Sequence, residues 1–260
     1  MIKALFKHIY KYYKDTFILA IAGVVIGVLV GIIDAAFGLG LNACTAIRTK
    51  YFWYLIWFLP LGGVFIWFIY HQFGKSVANG MKMVFHVGLG KNTKLPIRMV
   101  PLAVIGTWTT HLFGGSAGRE GVAVQIGAAV SNNVGRLVDK TIDIENSRKM
   151  FLITGMAAGF SGLFCTPLAA IFFALEVLVA GKLEYHALIP ATVASISAAF
   201  TSRALGLRKF HINILETLNY HPSTYNAVFL LKLAAMGLCF GIVGSLFALI
   251  LRYLRLKFAF

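Results

Sequence analysis

The sequence predicts an all-α integral membrane protein with several spans and broken, re-entrant helices among them. Three observations carry this expectation. Hydrophobic residues make up 59% of the 260 residues and charged residues only 13%, where a soluble domain carries about 25% charged residues. The apolar residues fall in long runs, and a helix needs about 20 mostly apolar residues to cross a bilayer. Glycine-rich, more polar stretches interrupt those runs. Irregular backbone at membrane depth is tolerated only where protein buries it or where it lines a cavity.

The elements follow in order. Met1–Lys14 could open a signal peptide, but the apolar run behind it is too long for one and more membrane segments follow. It reads instead as a cytoplasmic lead-in, residues 1–16, to a retained first helix. Lys7, Lys11 and Lys14 share one helical side there, which predicts a short interfacial helix. Phe17–Gly40 is apolar with a single acid, Asp34. Tyr51–Tyr70, Phe151–Val179, Ala187–Phe200 and Ala227–Leu251 are further candidate spans. Helices are expected near 17–47, 51–73, 96–112, 121–137, 146–160, 166–180, 186–204 and 224–257. Phe73–Leu89 and Phe113–Gly121 are too polar and glycine-rich for simple spans. Glycine-interrupted segments of this kind point to a transporter's binding site. Residues 1–260 read as one membrane domain, since no stretch resembles an interdomain linker.

The net charge of +15 does not indicate nucleic acid, because the basic residues form no continuous patch. They flank apolar runs: Lys3, Lys7, Lys11 and Lys14, the stretch Lys91–Arg98, and Arg252, Arg255 and Lys257. Positive flanks mark cytoplasmic ends, so the expected placement is the plasma (inner) membrane with the N-terminus in the cytoplasm. Membrane lipids are the expected partners of these charges. Cys44, Cys165 and Cys239 lack CxxC spacing and sit among apolar residues, as buried free thiols do. The seven histidines form no HExxH or His/Cys cluster. No metal or cofactor is expected. An intramembrane enzyme has no support, since GxSxG, HExxH and paired intramembrane aspartates are all missing from the sequence.

The chemistry concentrates in Gly114–Gly115–Ser116–Ala117–Gly118–Arg119–Glu120–Gly121. Small residues let the backbone turn sharply and approach a ligand closely. The apolar stretch Val122–Val130 that follows reads as a helix. A helix start presents unpaired N–H groups and a positive dipole end, which suits an anion. A carboxylate at Glu120 can occupy such a site and, once protonated, leave it to a free anion. The competing readings are that Glu120 pairs with Arg119 or serves only as a first-turn helix acid. The stretch lacks the GxxxxGK[ST] spacing of a nucleotide loop. Gly23-xxx-Gly27-xxx-Gly31 permits close helix packing and reads as architecture. The phenylalanines and the four tryptophans read as lipid-facing or interfacial.

At these residues the chain resembles the CLC family of chloride channels and anion/proton antiporters. Gly118–Arg119–Glu120–Gly121 matches the family's GREG motif, with Val122 where many members have proline. Gly155–Met156–Ala157–Ala158–Gly159–Phe160, then Thr166–Pro167–Leu168–Ala169–Ala170 and Glu176, resemble the family's next helix pair in the right order. The resemblance implies the first inverted repeat of a CLC-type fold, with Glu120 as gate and proton carrier. It further implies that Gly118, Arg119, Gly121 and Val122 help to bind the anion. Gly80–Met81–Lys82–Met83–Val84 stands where the family has GSGIP. Met81 replaces the serine that faces the central anion there, with Met83 the alternative if the register shifts by two. A thioether at this place resembles the fluoride-exporting branch.

Val177 stands where the family's proton exchangers have a second glutamate after the one matching Glu176. The fluoride branch and the channels both lack that glutamate. Glu176 can also be read as a helix-end residue paired with Lys182. The resemblance implies transport of fluoride or chloride, with protons as the candidate co-substrate and fluoride favoured. It also implies a homodimer, to which small residues in Gly162–Gly181 and Ala187–Ala199 could contribute. The family's second half carries a GxFxP motif that this sequence lacks after Glu176. A missing second-half polypeptide is therefore a further expected partner. The alternative function is a non-transporting half-protein acting as a structural or regulatory membrane subunit.

Overall fold

A computed structural model of the chain describes residues 2–91, 95–138, 147–179, 181–208 and 227–257. Every regular element among them is helical. The chain forms two compact units, residues 1–209 and 210–260.

In the first unit, α1 runs from Ile2 to Leu55 and departs from helical geometry at Tyr51 (φ −118°, ψ 28°). A 3-10 turn, Ile56–Phe58, leads into α2, Leu59–Phe73, which holds Pro60 in its first turn, where the missing N–H costs nothing. The expected boundary at residue 51 is thus a kink followed by a tight turn. Residues 2–16 continue α1 without a break, so they form no separate short helix. Phe73–Leu89 is not irregular throughout: after turns at 75–79 it contains α3, Gly80–Gly88. The remaining helices are α4 (Met99–Leu112), α5 (Glu120–Val138), α6 (Ser147–Phe164), α7 (Pro167–Glu176) and α8 (Leu188–Ala204). The second unit is described as α9, Ala227–Lys257. The start expected for it at residue 224 lies outside the described residues.

The α6 helix runs four residues past its expected end at 160. It stops at Cys165, whose φ of 53° is left-handed and breaks the helix before Pro167. A left-handed conformation is costly for a residue with a Cβ; packing against Leu207, whose carbonyl the thiol approaches at 4.0 Å, accompanies it. Met150 to Gly159 are all buried, so α6 is apolar and covered on every side. α1, α5, α7 and α8 pack around it.

Small residues make this possible. A Cβ on Gly23 would meet the Pro190 carbonyl at 2.9 Å, and one on Gly31 the Ala198 carbonyl at 2.7 Å, while one on Gly27 would collide with Ala194. The Gly23/Gly27/Gly31 stripe is therefore the α1–α8 contact, as expected of small residues in membrane helices. Gly127 and Gly155 likewise place α5 and α6 backbone against backbone, with Gly159 against Ala123.

Ala187, Ala191, Ala194 and Ala198 are fully buried. The small residues expected at a dimer contact in Ala187–Ala199 are thus taken up within the protomer, because α1 approaches too closely to admit larger ones. Large residues, Ile189, Ile196 and Phe200, occupy the exposed side of α8. Trp53, Trp57 and Trp67 are exposed as expected, but Trp108 donates its indole N–H to the Phe37 carbonyl (3.0 Å) and lies against Gly40. The three cysteines are free: Cys165 is buried, Cys44 half-buried and Cys239 exposed, so burial holds for one of them.

Candidate functional site

The α4 helix ends in a tight cluster of turns. Gly114, at φ +84°, and Gly115 donate their N–H groups to His111 and Thr110 carbonyls. A Cβ on Gly114 would lie 3.0 Å from Ile56 and 3.9 Å from Cδ of Arg48, which brings the stem of that side chain beside the loop. Residues 115–118 are then free of regular structure, and α5 begins at Glu120. The Arg119 carbonyl accepts the Ala123 N–H at 3.1 Å, which makes Arg119 the residue before the first turn. The amides of Glu120, Gly121 and Val122 are therefore in the first turn, where a helix supplies them no acceptor.

Glu120 is exposed, and its carboxylate folds back over Gly118: a Cβ there would lie 2.8 Å from Oε2. Glycine at 118 is what leaves room for this. Arg119 does not pair with Glu120. Its guanidinium sits over the Phe164 ring, 5.3 Å from the centroid, an interaction of about 0.5–1 kcal/mol. Of the two competing readings of Glu120, the ion pair is absent and the first-turn acid remains.

The other candidate segment reaches the same helix. Gly80, at φ +46°, opens α3 with its Cα toward the Gln125 amide, a built Cβ lying 3.6 Å from Nε2 and 3.7 Å from Oε1. Gln125 is a little over one turn beyond Glu120, so the starts of α3 and α5 converge. The amides of Gly80 and Lys82 are engaged by the carbonyls of Val77 and Asn79. Met81 and Met83 are half-buried against the core, Lys82 is exposed, and Val84 is fully buried. Gly121 and Val122 are half-buried.

Glu176 does not pair with Lys182. It accepts the Gly181 N–H at 3.0 Å, closing the turn after α7, and Lys182 approaches Glu184 at 4.0 Å instead. Glu184 bonds Lys149 near the start of α6. That hydrogen bond from Lys149, opposed by partial burial, holds the Glu184 carboxyl below its ordinary range. Sequence reasoning missed Gln125, Arg48 and the Lys149–Glu184 pair. Each is a contact between distant segments, and only Gln125, within reach of the motif, carried a local signal.

Among known proteins, the model of the family described as "Voltage gated chloride channel" matches residues 62–259. A chloride/fluoride channel protein of Pseudomonas syringae pv. tomato is 38% identical over 230 residues, covering 88% of this chain and 49% of that protein. The crystal structure of a CLC-type fluoride/proton antiporter superposes with a TM-score of 0.80 at 43% identity, over 93% of this chain and 60% of that one. A slow cyanobacterial Cl−/H+ antiporter shares the fold, with a TM-score of 0.68 at 18% identity. The chain spans about half the length of the curated relative.

Proposed function

The chain belongs to the voltage gated chloride channel family, and from that premise we propose that it forms one wall of a transmembrane anion route gated by Glu120. The observation that carries this reading is the carboxylate folded over Gly118 at the first turn of α5. There it lies at the helix end whose amides and dipole attract negative charge. Ionised, it occupies the place an anion would take. Protonated, it has no charge to hold it there, and an anion enters. Arg119, directly before the helix start, supplies positive potential beside the loop.

Fluoride is the favoured anion. Met81 offers no hydrogen-bond donor where a serine would, leaving backbone N–H groups as donors to the ion. The Pseudomonas relative and the antiporter of known structure carry fluoride in their descriptions. Protons are the proposed co-substrate, the inner membrane the proposed location, and a homodimer the proposed assembly. The exposed Leu168, Phe172, Ile196 and Phe200 of α7 and α8 offer an apolar face for it.

The test is anion efflux from liposomes at several pH values. Glu120→Gln is expected to abolish proton dependence while leaving the fold intact. Unchanged pH-dependent flux in that variant would refute the gate. A second reading is a structural or regulatory membrane subunit that does not transport by itself, which release of neither anion from well-folded protein would favour.

A further inference from the structure

Asp34 is an acid midway along α1, fully buried, and among the described residues neither of its carboxylate oxygens has a hydrogen-bond partner. It faces the last turn of α6: its side chain fills the space beside Gly162 that a Cβ would need. α5 and α6 run antiparallel through Gly127–Gly155 and Ala123–Gly159, and the register continues to Arg119 over Phe164. Arg119, the neighbour of Glu120, and Asp34 therefore both meet the last turn of α6, at about the same level along that helix.

We propose that Asp34 is a proton-binding site of the membrane interior, whose protonated form holds α1 against the last turn of α6, the turn on which Arg119, next to the gate, packs through Phe164. An ionised carboxylate without counter-charge or hydrogen bond is among the costliest groups to bury, and an ionisable residue inside a membrane is a functional candidate by default. Among the described residues, the charged and titratable groups of the surrounding elements do not neutralise it. On α6, Arg148 and Lys149 are at the far end, roughly 20 Å away at about 1.5 Å per residue. On α8, Arg203 is exposed while buried Ser202 bonds the Ala199 carbonyl. The Cys165 thiol is directed to Leu207, His111 of α4 bonds the Thr107 carbonyl, the Glu120 carboxylate folds back over Gly118, and the Arg119 guanidinium sits over Phe164. Loss of the proton would put a charge against Gly162 and part α1 from α6, which links Asp34 to the turn on which Arg119 packs.

The experiment is infrared spectroscopy of the full chain in lipid across pH. A protonated-carboxyl C=O band that disappears on alkalinisation is expected in the unsubstituted chain and in E120Q, and its loss is expected in D34N. Absence of any pH-sensitive band that D34N removes would overturn the proposal. If D34N loses its helical content, carbon-13 labelling of the aspartate carboxyls in the unsubstituted chain decides: a shifted band supports the site, and no shift among the protonated carboxyl bands overturns it. This readout is independent of flux, so it separates Asp34 from the role given to Glu120.

Discussion

At the scale of the residue, Gly118 controls how Glu120 rests. Its missing side chain is the space that the carboxylate uses, and an alanine methyl would sit 2.8 Å from Oε2, well inside van der Waals contact. Gly118→Ala is expected to leave the fold unchanged, since the position is exposed and outside the helices. It should expel the carboxylate from its place over the loop. If Glu120 gates the route, flux at neutral pH rises several-fold toward its acid value, and the pH profile flattens. Efflux of fluoride at neutral and acid pH measures this, and an unaltered profile would show that the folded-back position has no part in gating. Glu120 itself was legible in the sequence because its neighbours are local: glycines before, an apolar run after. Arg48 beside Gly114 and the orphaned oxygens of Asp34 beside Gly162 were not, since each contact joins segments more than 60 residues apart.

At the scale of the element, close contacts without side chains hold the helices together, and water plays little part in driving such packing in lipid. Gly155 of α6 faces the Gly127 carbonyl and Ser131, with no room for a methyl group. Gly155→Ala is expected to destabilise the bundle by about 1–3 kcal/mol, as overpacking does, whereas Gly63→Ala, with nothing within 4 Å, should be neutral. Unfolding in detergent, followed by helical circular dichroism, compares the two. The helix pattern was largely readable because apolar runs mark spans. The boundaries that failed, at 51, 80 and 160, lie where tertiary packing decides: a kink, a short helix docked on Gln125, and a stop at left-handed Cys165.

A second element-scale prediction concerns the turn that ties α7 and α8 to the start of α6. Lys149 holds the Glu184 carboxyl below its ordinary range. Its contribution is complete above the ordinary carboxylate pKa and is lost as the pH falls through the lowered, folded value. Glu184→Gln is expected to cost no more than about 1 kcal/mol at neutral pH, the scale of partly exposed ion pairs, and to remove part of the acid dependence of stability. Thermal unfolding at neutral and acid pH checks both statements, and an identical acid slope in the variant would show that the pair contributes nothing.

At the scale of the whole molecule, the question is whether these 260 residues conduct anions by themselves. Two features pull in opposite directions. The convergence of α3 and α5 on Gln125 is complete within the first unit, so the proposed gate needs nothing beyond it to take its shape. Yet the matched length is only 49% of the Pseudomonas relative and 60% of the antiporter of known structure. One helix start shields an anion on one side only, and a desolvated ion needs donors around it to offset lost water. The decisive measurement is efflux from liposomes holding the chain, with fluoride and chloride compared. The expected outcome is fluoride release faster than chloride release, with its pH dependence lost in Glu120→Ala, which would mean that copies of this chain enclose the ion between them or that one wall and lipid suffice. Release of neither ion from well-folded protein would favour the subunit reading. In that case, flux should appear when a polypeptide covering the rest of the relatives' length is reconstituted with it, and its pH dependence should again require Glu120.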